Sequence, residues 1–250
     1  MSTAAPGKTE TETRDLSLPP ADHHRNVQGG VARAGVFGIS DGLLTNISLT
    51  LGVAGAAPGA GIVRLAGLAG LVAGAFSMAT GEYVSMSAQS ELIRRELAVE
   101  REALRSNPEL EKRELAEVYE RRGVPREMAE AVAEAVMKDP EVALEVHSRE
   151  ELGVDPARTG SPLAAAASSF LCFAVGAVIP LIPWFFAAGW TAVAVSIILG
   201  ALATIVVGGA VGYFTDRSML RSALRQFLIA AVAAAVTFGV GRAVGVSTGR

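Results

Sequence analysis

Hydrophobic positions in this chain are grouped into five long stretches, separated by turns and by one highly charged segment. The first two, about residues 34–57 and 62–86, carry a few polar residues inside apolar sequence. The others run from about 162 to 186, 190 to 214 and 219 to 244. Each is long enough for a helix of roughly 20 residues, the length that crosses a bilayer. The pattern predicts an all-α protein with five transmembrane helices.

The second stretch is expected to leave the membrane as one continuous helix. No proline occurs between Pro58 and Pro108, so nothing in that interval breaks the helical pattern. Beyond Asn107, three or four short helices are expected. The apolar face of the segment 125–138 is predicted to consist of Met128, Val132, Ala135 and Val136. These elements predict a compact soluble module inserted between transmembrane helices 2 and 3.

These patterns divide the chain into four parts. We expect a disordered cytoplasmic tail at 1–32, helices 1 and 2 at 33–90, the acidic metal-binding module at 91–160, and helices 3 to 5 at 161–250. The tail is polar, without the apolar core of a signal peptide. Trp184, at the end of the third stretch, is predicted to anchor that helix at the membrane interface.

Basic residues predict the orientation of this multi-pass membrane protein. They flank the first stretch, fill the module and follow the fourth stretch, whereas the opposite connections carry only Arg64. Because cytoplasmic loops are enriched in Lys and Arg, the N-terminus and the module are expected in the cytoplasm. In a bacterium the membrane would be the plasma membrane.

Composition excludes several classes of protein. Half of the 250 residues are hydrophobic, and no Asp, Glu, Lys or Arg occurs between Arg158 and Asp216. The chain has no basic, aromatic-studded patch, so nucleic acid is not an expected partner. Its single cysteine, Cys172, lies in an apolar stretch and is interpreted as a small hydrophobic residue. The lipid bilayer is the expected environment.

Polar residues inside the first stretch are costly and therefore informative. Asp41, Thr45 and Ser48 are spaced so that they share one face of a helix, and Asn46 lies beside them. A carboxylate inside a bilayer costs several kcal/mol unless a partner or water compensates it. This helix is therefore expected to pack against polar partners or to line a path.

The charged segment has the composition of a metal-binding module. Residues 91–151 contain 17 Asp or Glu and 11 Lys or Arg. Glu111 and Glu114, like His147 and Glu151, have spacings that place side chains on one side of a helix. Carboxylates with an imidazole suit Fe(II), Mn(II) or Zn(II). The alternative is a solvated helical face on which arginines neutralise the carboxylates.

Five motifs, taken together and in this order, closely resemble the vacuolar iron transporter family. They are S-D-G-L from Ser40, G-A-F-S-M from Gly74, G-E-Y from Gly81, V-I-P-L-I-P from Val178 and G-Y-F-T from Gly212. The resemblance covers about residues 33–244. It implies a homodimer of five-helix protomers that exchanges cytosolic Fe(II) or Mn(II) for protons, with a metal-binding module between helices 2 and 3.

The resemblance also implies roles for particular residues. The ion path of the family lies between the protomers, where its aspartate matches Asp41 and its methionine matches Met78. The glutamates of its module match four positions here. These are Glu100, Glu111, Glu114 and Glu151.

This chain departs from the family pattern at four places. Plant-type members carry a glutamate where this chain has Gly70, while Glu82 lies about three turns further along. Glu82 is predicted to take over part of that role, with an interfacial glutamate near the membrane surface as the alternative. Glu102 stands beside a position where the family has a glutamate, and His147 replaces a methionine.

The function expected from these observations is export of divalent iron, manganese or both from the cytosol, in exchange for protons. The path would include Asp41, Asn46, Met78 and Glu82. The module would bind metal through Glu100, Glu102, Glu111, Glu114, His147 and Glu151, with Zn(II) as a further candidate ion. No permanently bound cofactor and no enzymatic activity are expected. A membrane-anchored metal sensor or store remains the alternative.

Overall fold

The computed structural model describes residues 30–56, 59–155 and 160–248, with side chains up to residue 245. Within these ranges the chain is helical, with turns between the helices and no strand. The predicted all-α fold is confirmed. The predicted disordered tail falls largely on residues 1–29, outside the described part of the chain.

The described ranges contain nine helices. In chain order they are α1 (Gly30–Gly55), α2 (Ala60–Ser106), α3 (Pro108–Arg121), α4 (Arg126–Val136), α5 (Pro140–Glu150), α6 (Pro162–Leu181), α7 (Pro183–Phe186), α8 (Gly189–Phe214) and α9 (Met219–Thr248).

Five helices, α1, α2, α6, α8 and α9, are long and apolar enough to cross a membrane. They correspond to the five predicted stretches, with boundaries that differ by a few residues. The main difference is at the third, where α6 ends at Leu181 and the short α7 follows. Pro183 occupies the first position of α7, where its missing N–H breaks no intrahelical bond.

The side chain of Trp184 does not lie at the outer surface of the protein. It is 2% exposed and belongs to a core cluster with Leu51 and Val63. The prediction of an interfacial anchor at this position is therefore wrong. The break between α6 and α7 comes just before Trp184 and lets the short helix pack against α2 and α8.

Helix α2 is continuous over 47 residues, as the absence of proline predicted. At 1.5 Å per residue it is about 70 Å long, more than twice the hydrocarbon thickness of a bilayer. Its first part is apolar, whereas its last turns carry Glu100, Glu102 and Arg105. One rigid element therefore connects the membrane-spanning bundle to the acidic segment.

Helix α1 lies inside the bundle, packed against α2, α6, α8 and α9. Its contact with α6 is close because glycines face backbone. A Cβ atom at Gly42 would collide with the carbonyl of Phe173, and one at Gly176 with the carbonyl of Ile39. Small residues allow membrane helices to approach to backbone contact. The glycine contacts therefore bring the backbones of α1 and α6 close together.

Helices α3 to α5 have a small core of their own. Leu115 and Ala116 of α3 pack against Ala129 and Ala133 of α4. Asp139 caps α5, where its Oδ1 atom accepts a hydrogen bond from the backbone N–H of Glu141 at 2.9 Å. These interactions define three short helices between the second and third candidate spans.

The predicted apolar face of α4 is wrong in part. Met128 and Val132 are 60% and 39% exposed, and Ala135 is also exposed. Only Val136 packs at the edge of the core that the two α4 alanines form. The alanines of α4 form this core because α3 lies close to α4, and a close contact between helices favours alanine over longer side chains.

Candidate metal centre

His147 is the centre of a cluster of acidic side chains from three helices. Its side chain is fully buried. The Nδ1 atom lies 3.2 Å from Oε1 of Glu100 on α2, 3.2 Å from Oε1 of Glu151 just after α5, and 3.8 Å from Oε2 of Glu111 on α3. The inserted helices therefore close over the end of α2 around an imidazole.

The buried donor atoms of this cluster do not satisfy one another. Neither ring nitrogen of His147 has a hydrogen-bond partner among the described residues, and the same holds for Oε1 of Glu100. Most buried polar groups in folded proteins have such a partner. Nδ1 of His147 and the carboxylate oxygens around it face one another without hydrogen bonds, which is the arrangement expected of ligands for a cation.

Two groups of residues have the geometry to hold a metal ion. One consists of Glu100, His147 and Glu151, and the other of Glu111, Glu114 and Glu151. Within each group the possible ligand atoms lie within 4.8 Å of one another. Glu151 belongs to both, so the two groups form one continuous cluster.

Without a bound cation, the charged carboxylates of this cluster are destabilised by desolvation and mutual repulsion. Burial raises the pKa of Glu100, which lies in the part of α2 beyond the apolar span, and the charge of Glu151 raises it further. Burial also raises the pKa of Glu111, followed by the charge of Glu114. A shared divalent ion would relieve the desolvation and the repulsion together.

Five of the six predicted module ligands meet in this cluster. Glu102 is exposed and lies outside both groups found in the described residues. It is adjacent in sequence to Arg101, which extends towards Glu141 on α5 at 3.8 Å. The predicted role of these residues in metal binding stays a prediction, and the donor set of carboxylates with one imidazole fits Fe(II), Mn(II) or Zn(II).

Asp41 and Met78 lie on adjacent antiparallel helices. Gly70 of α2 faces Asn46 of α1, and towards the other end Gly30 faces Met86. Because residues of α1 and α2 that face each other lie at the same level, these two pairs relate the positions along both helices. On that basis Asp41 and Met78 differ by about one helical turn along the helix axis. Both are partly buried.

The nearest neighbours of Asp41 and Met78 differ in kind. Thr45 Oγ1 donates a hydrogen bond to Oδ1 of Asp41 at 3.4 Å. Met78 packs against the cluster of Ala75 and Phe173. An oxygen donor and a thioether are thus available at similar depth, on the two helices that the ion path was predicted to use.

Asn46 is fully buried between α1 and α6. Its Nδ2 atom donates a hydrogen bond to the carbonyl of Ala177 at 2.5 Å, while its Oδ1 has no partner among the described residues. A side chain in this position holds two helices together. Its predicted place in the ion path stays untested.

Gly70 and Gly74 both lie in close contact with side chains of neighbouring helices. A Cβ at Gly70 would meet the side chain of Leu49, and one at Gly74 would meet the ring of Phe173. The absence of a glutamate at position 70 is thus matched by close packing of α1 against this turn of α2.

Glu82 is buried, with 8% of its surface exposed, and forms an ion pair with Arg33. The distance from Arg33 Nη2 to Glu82 Oε2 is 3.0 Å. The predicted role of Glu82 in the ion path, and the alternative of an interfacial glutamate near the membrane surface, both stay predictions. The partner was missed in the sequence, although Arg33 stands at the start of the first stretch, where an antiparallel neighbour would bring it close to the end of the second.

Comparison with known proteins decides the family. The VIT family model matches residues 32–242, which include all or nearly all of each of the five candidate spans and the helices α3 to α5. The chain belongs to the VIT family.

Individual relatives align with this VIT family member over most of their length. Vacuolar iron transporter 1 of Eucalyptus grandis is 34% identical over 227 residues, covering 89% of this chain and 91% of the relative. Vacuolar iron transporter of Acanthamoeba castellanii is 38% identical over 238 residues, covering 90% and 85%. Vacuolar iron transporter 1 of Arabidopsis thaliana is 32% identical over 227 residues, covering 89% and 91%.

Membership of this transporter family and the five long apolar helices together establish a coarse description. The chain is an integral, multi-pass membrane protein of a family whose named members transport iron. This description agrees with the absence of enzymatic activity that the sequence led us to expect. The acidic cluster and the polar positions of α1 and α2 supply the finer description.

Proposed function

We propose that this VIT family member exports Fe(II), Mn(II) or both from the cytosol in exchange for protons and works as a homodimer. The proposal rests above all on one observation. Four glutamates and buried His147, five potential ligands in all, converge at the end of the helix that carries Met78 and Glu82. The names of the relatives support iron as the cargo.

The acidic cluster is the first station of the transported ion. Its carboxylates attract divalent cations from the cytosol and raise their local concentration. The imidazole of His147 makes the donor set suitable for borderline ions, with Zn(II) as a further ion that the cluster binds. These ions are cargo, and no permanently bound cofactor is required.

Asp41 and Met78 form the second station. A thioether beside a carboxylate selects Fe(II) over Mg(II) or Ca(II), because the hard ions prefer oxygen ligands alone. Protons that reach Asp41 from the opposite side compete with the ion and release it. A carboxylate within the membrane can couple two flows in this way, since it binds either a proton or a metal ion.

The homodimer supplies this station twice. The apolar window of α2 is only 17% buried within one chain, so most of its surface is left for lipid or for a second copy. Two copies related by a twofold axis would bring two Asp41 and two Met78 side chains to one path. Isologous contact of this kind is the common way in which membrane and soluble proteins form dimers.

The distribution of basic residues supports the orientation. Arg33, the segment 91–151 and the start of α9 carry most of the positive charge, all at one end of the bundle. By the positive-inside rule this end faces the cytosol. In a bacterium the ion would then leave across the plasma membrane.

Uptake of Mn(II) and Fe(II) by proteoliposomes that contain the full chain tests the proposal. Asp41→Asn, which is nearly isosteric, should abolish uptake while metal binding to the acidic cluster persists. Uptake that is unchanged in this variant would refute the role of Asp41. Wild-type protein that binds metal but transports none would instead support a membrane-anchored sensor or store.

A further inference from the structure

The ion pair of Arg33 and Glu82 joins the two helices of the proposed path. Arg33 is the fourth residue of α1, and Glu82 lies in the apolar part of α2. The two side chains are unequally exposed. The Arg33 side chain is 64% exposed and the Glu82 side chain 9%. The guanidinium therefore covers a buried carboxylate from the outer surface of the chain.

This pair stands between the two proposed stations. Glu82 follows Met78 by one helical turn on the same face of α2, towards the acidic cluster. Arg33 precedes Asp41 by about two turns on α1, displaced in the same direction. An ion that moves from the cluster to Asp41 and Met78 along these helices passes the level of Glu82.

Stability alone gives a weak reason for such a pair. Burial of the Glu82 carboxylate removes its hydration, and the attraction of one largely exposed arginine often only balances that loss. Within the described part of the chain, Arg33 is the only cation in ion-pair distance of Glu82. A carboxylate at this depth with one exposed, flexible partner is suited to exchange that partner for another cation.

We propose that Arg33 determines the charge selectivity of the path as a tethered competitor at Glu82. The inference rests on the transport function proposed above. Between transport events the guanidinium occupies the carboxylate. A divalent ion displaces it because its attraction to the carboxylate is about twice that of a single charge at equal distance. A monovalent ion gains nothing over the tethered guanidinium and is excluded.

Kinetics of Mn(II) uptake by proteoliposomes separate this role from a structural one. Arg33→Gln removes the competitor, so KM should fall about tenfold, as for the loss of a close charge partner. The maximal rate should fall as well, because the ion is no longer displaced from Glu82 by the returning guanidinium. Glu82→Gln should raise KM. Arg33→Lys, which keeps the charge, should restore the maximal rate.

Competition by K⁺ measures the charge selectivity of the path separately. N-methylglucamine chloride outside the vesicles is replaced by KCl at constant ionic strength. Wild-type uptake should not change, whereas uptake by Arg33→Gln should slow because K⁺ now competes for Glu82. Arg126→Gln is the matched control, since it breaks an exposed ion pair of α4 with Glu130 at 2.9 Å, far from the path in sequence. It should behave as wild type in both measurements.

The results distinguish this inference from the function on which it rests. Unchanged KM and no K⁺ effect in Arg33→Gln, with active wild-type protein, would overturn the inference alone. Inactive wild-type protein would overturn the proposed function. If Arg33→Gln does not fold, Glu82→Gln carries the test, because it leaves only a largely exposed arginine unpaired. An unchanged KM in that variant would also overturn the inference.

Discussion

His147 Nδ1 lies 3.2 Å from Oε1 of Glu100, which links helix α5 to the end of helix α2. The contact is buried, and it is the point where the inserted helices meet the element that also carries Met78. Binding of an ion at this contact therefore acts on one end of a helix whose other end lies in the membrane bundle.

Loss of His147 should weaken metal binding. His147→Ala removes the one nitrogen ligand of the cluster and is expected to lower the affinity of the full chain for Zn(II) or Mn(II) by about tenfold or more, equivalent to about 1.4 kcal/mol. Isothermal titration calorimetry in detergent measures this affinity. Glu134→Gln on exposed α4 is the control and should leave the affinity unchanged. Equal affinities of His147→Ala and wild type would remove His147 from the site.

Metal affinity should fall in mild acid. The pKa values of Glu100 and Glu111 are raised above 4.5, chiefly by burial. Protons therefore compete with the metal at a higher pH than at an ordinary glutamate. Dissociation constants measured from neutral pH downward should rise as the pH enters this raised range. Glu111→Gln should make the dependence shallower, and a slope equal to that of wild type would contradict the assignment.

Without metal, the module should be more stable in mild acid than at neutral pH. A carboxyl group whose folded-state pKa is raised contributes stability below its unfolded pKa and loses it as the pH rises through the folded value. Protection factors from hydrogen exchange in residues 108–151 should thus decrease as the pH rises from mild acid to neutral. Saturating metal should remove the decrease. A module whose protection rises with pH in the absence of metal would refute the prediction.

Continuity of α2 should be necessary for transport but not for metal binding. Ala88 is exposed between Glu82 and Glu100. Ala88→Pro costs about 3 kcal/mol in a helix interior and bends the element. We expect calorimetry to find metal still bound, while uptake by proteoliposomes is lost. Ala88→Gly, at about 1 kcal/mol, should keep most of the uptake. Full uptake by Ala88→Pro would show that the rigid connection is dispensable.

The close contact of α1 and α6 should tolerate no added methyl group. A Cβ at Gly42 would collide with the carbonyl of Phe173, so Gly42→Ala must separate two backbones. We expect a loss of about 1–3 kcal/mol, typical of overpacking, seen as a lower thermal unfolding midpoint in detergent. Gly239→Ala is the control, because a Cβ there meets nothing within 4 Å. Its stability should be equal or higher. An unaltered midpoint for Gly42→Ala would contradict the packing.

The sequence by itself determined the five spans, the unbroken helix α2 and most members of the acidic cluster. These features depend on local information. Hydrophobic stretches report membrane-spanning length, the absence of proline reports helix continuity, and spacings such as that of His147 and Glu151 report a shared helix face. For the same reason Glu111 and Glu114 could be paired before any tertiary contact was known.

Only the tertiary structure decided which side chains meet across helices. It separated Glu102 from the cluster, gave Glu82 the partner Arg33, and buried Trp184 where an interfacial position was expected. Each of these outcomes depends on how closely and in which register two helices pack. Packing of this kind is set by small residues and by contacts between distant parts of the chain, which the periodicity of a single helix does not encode.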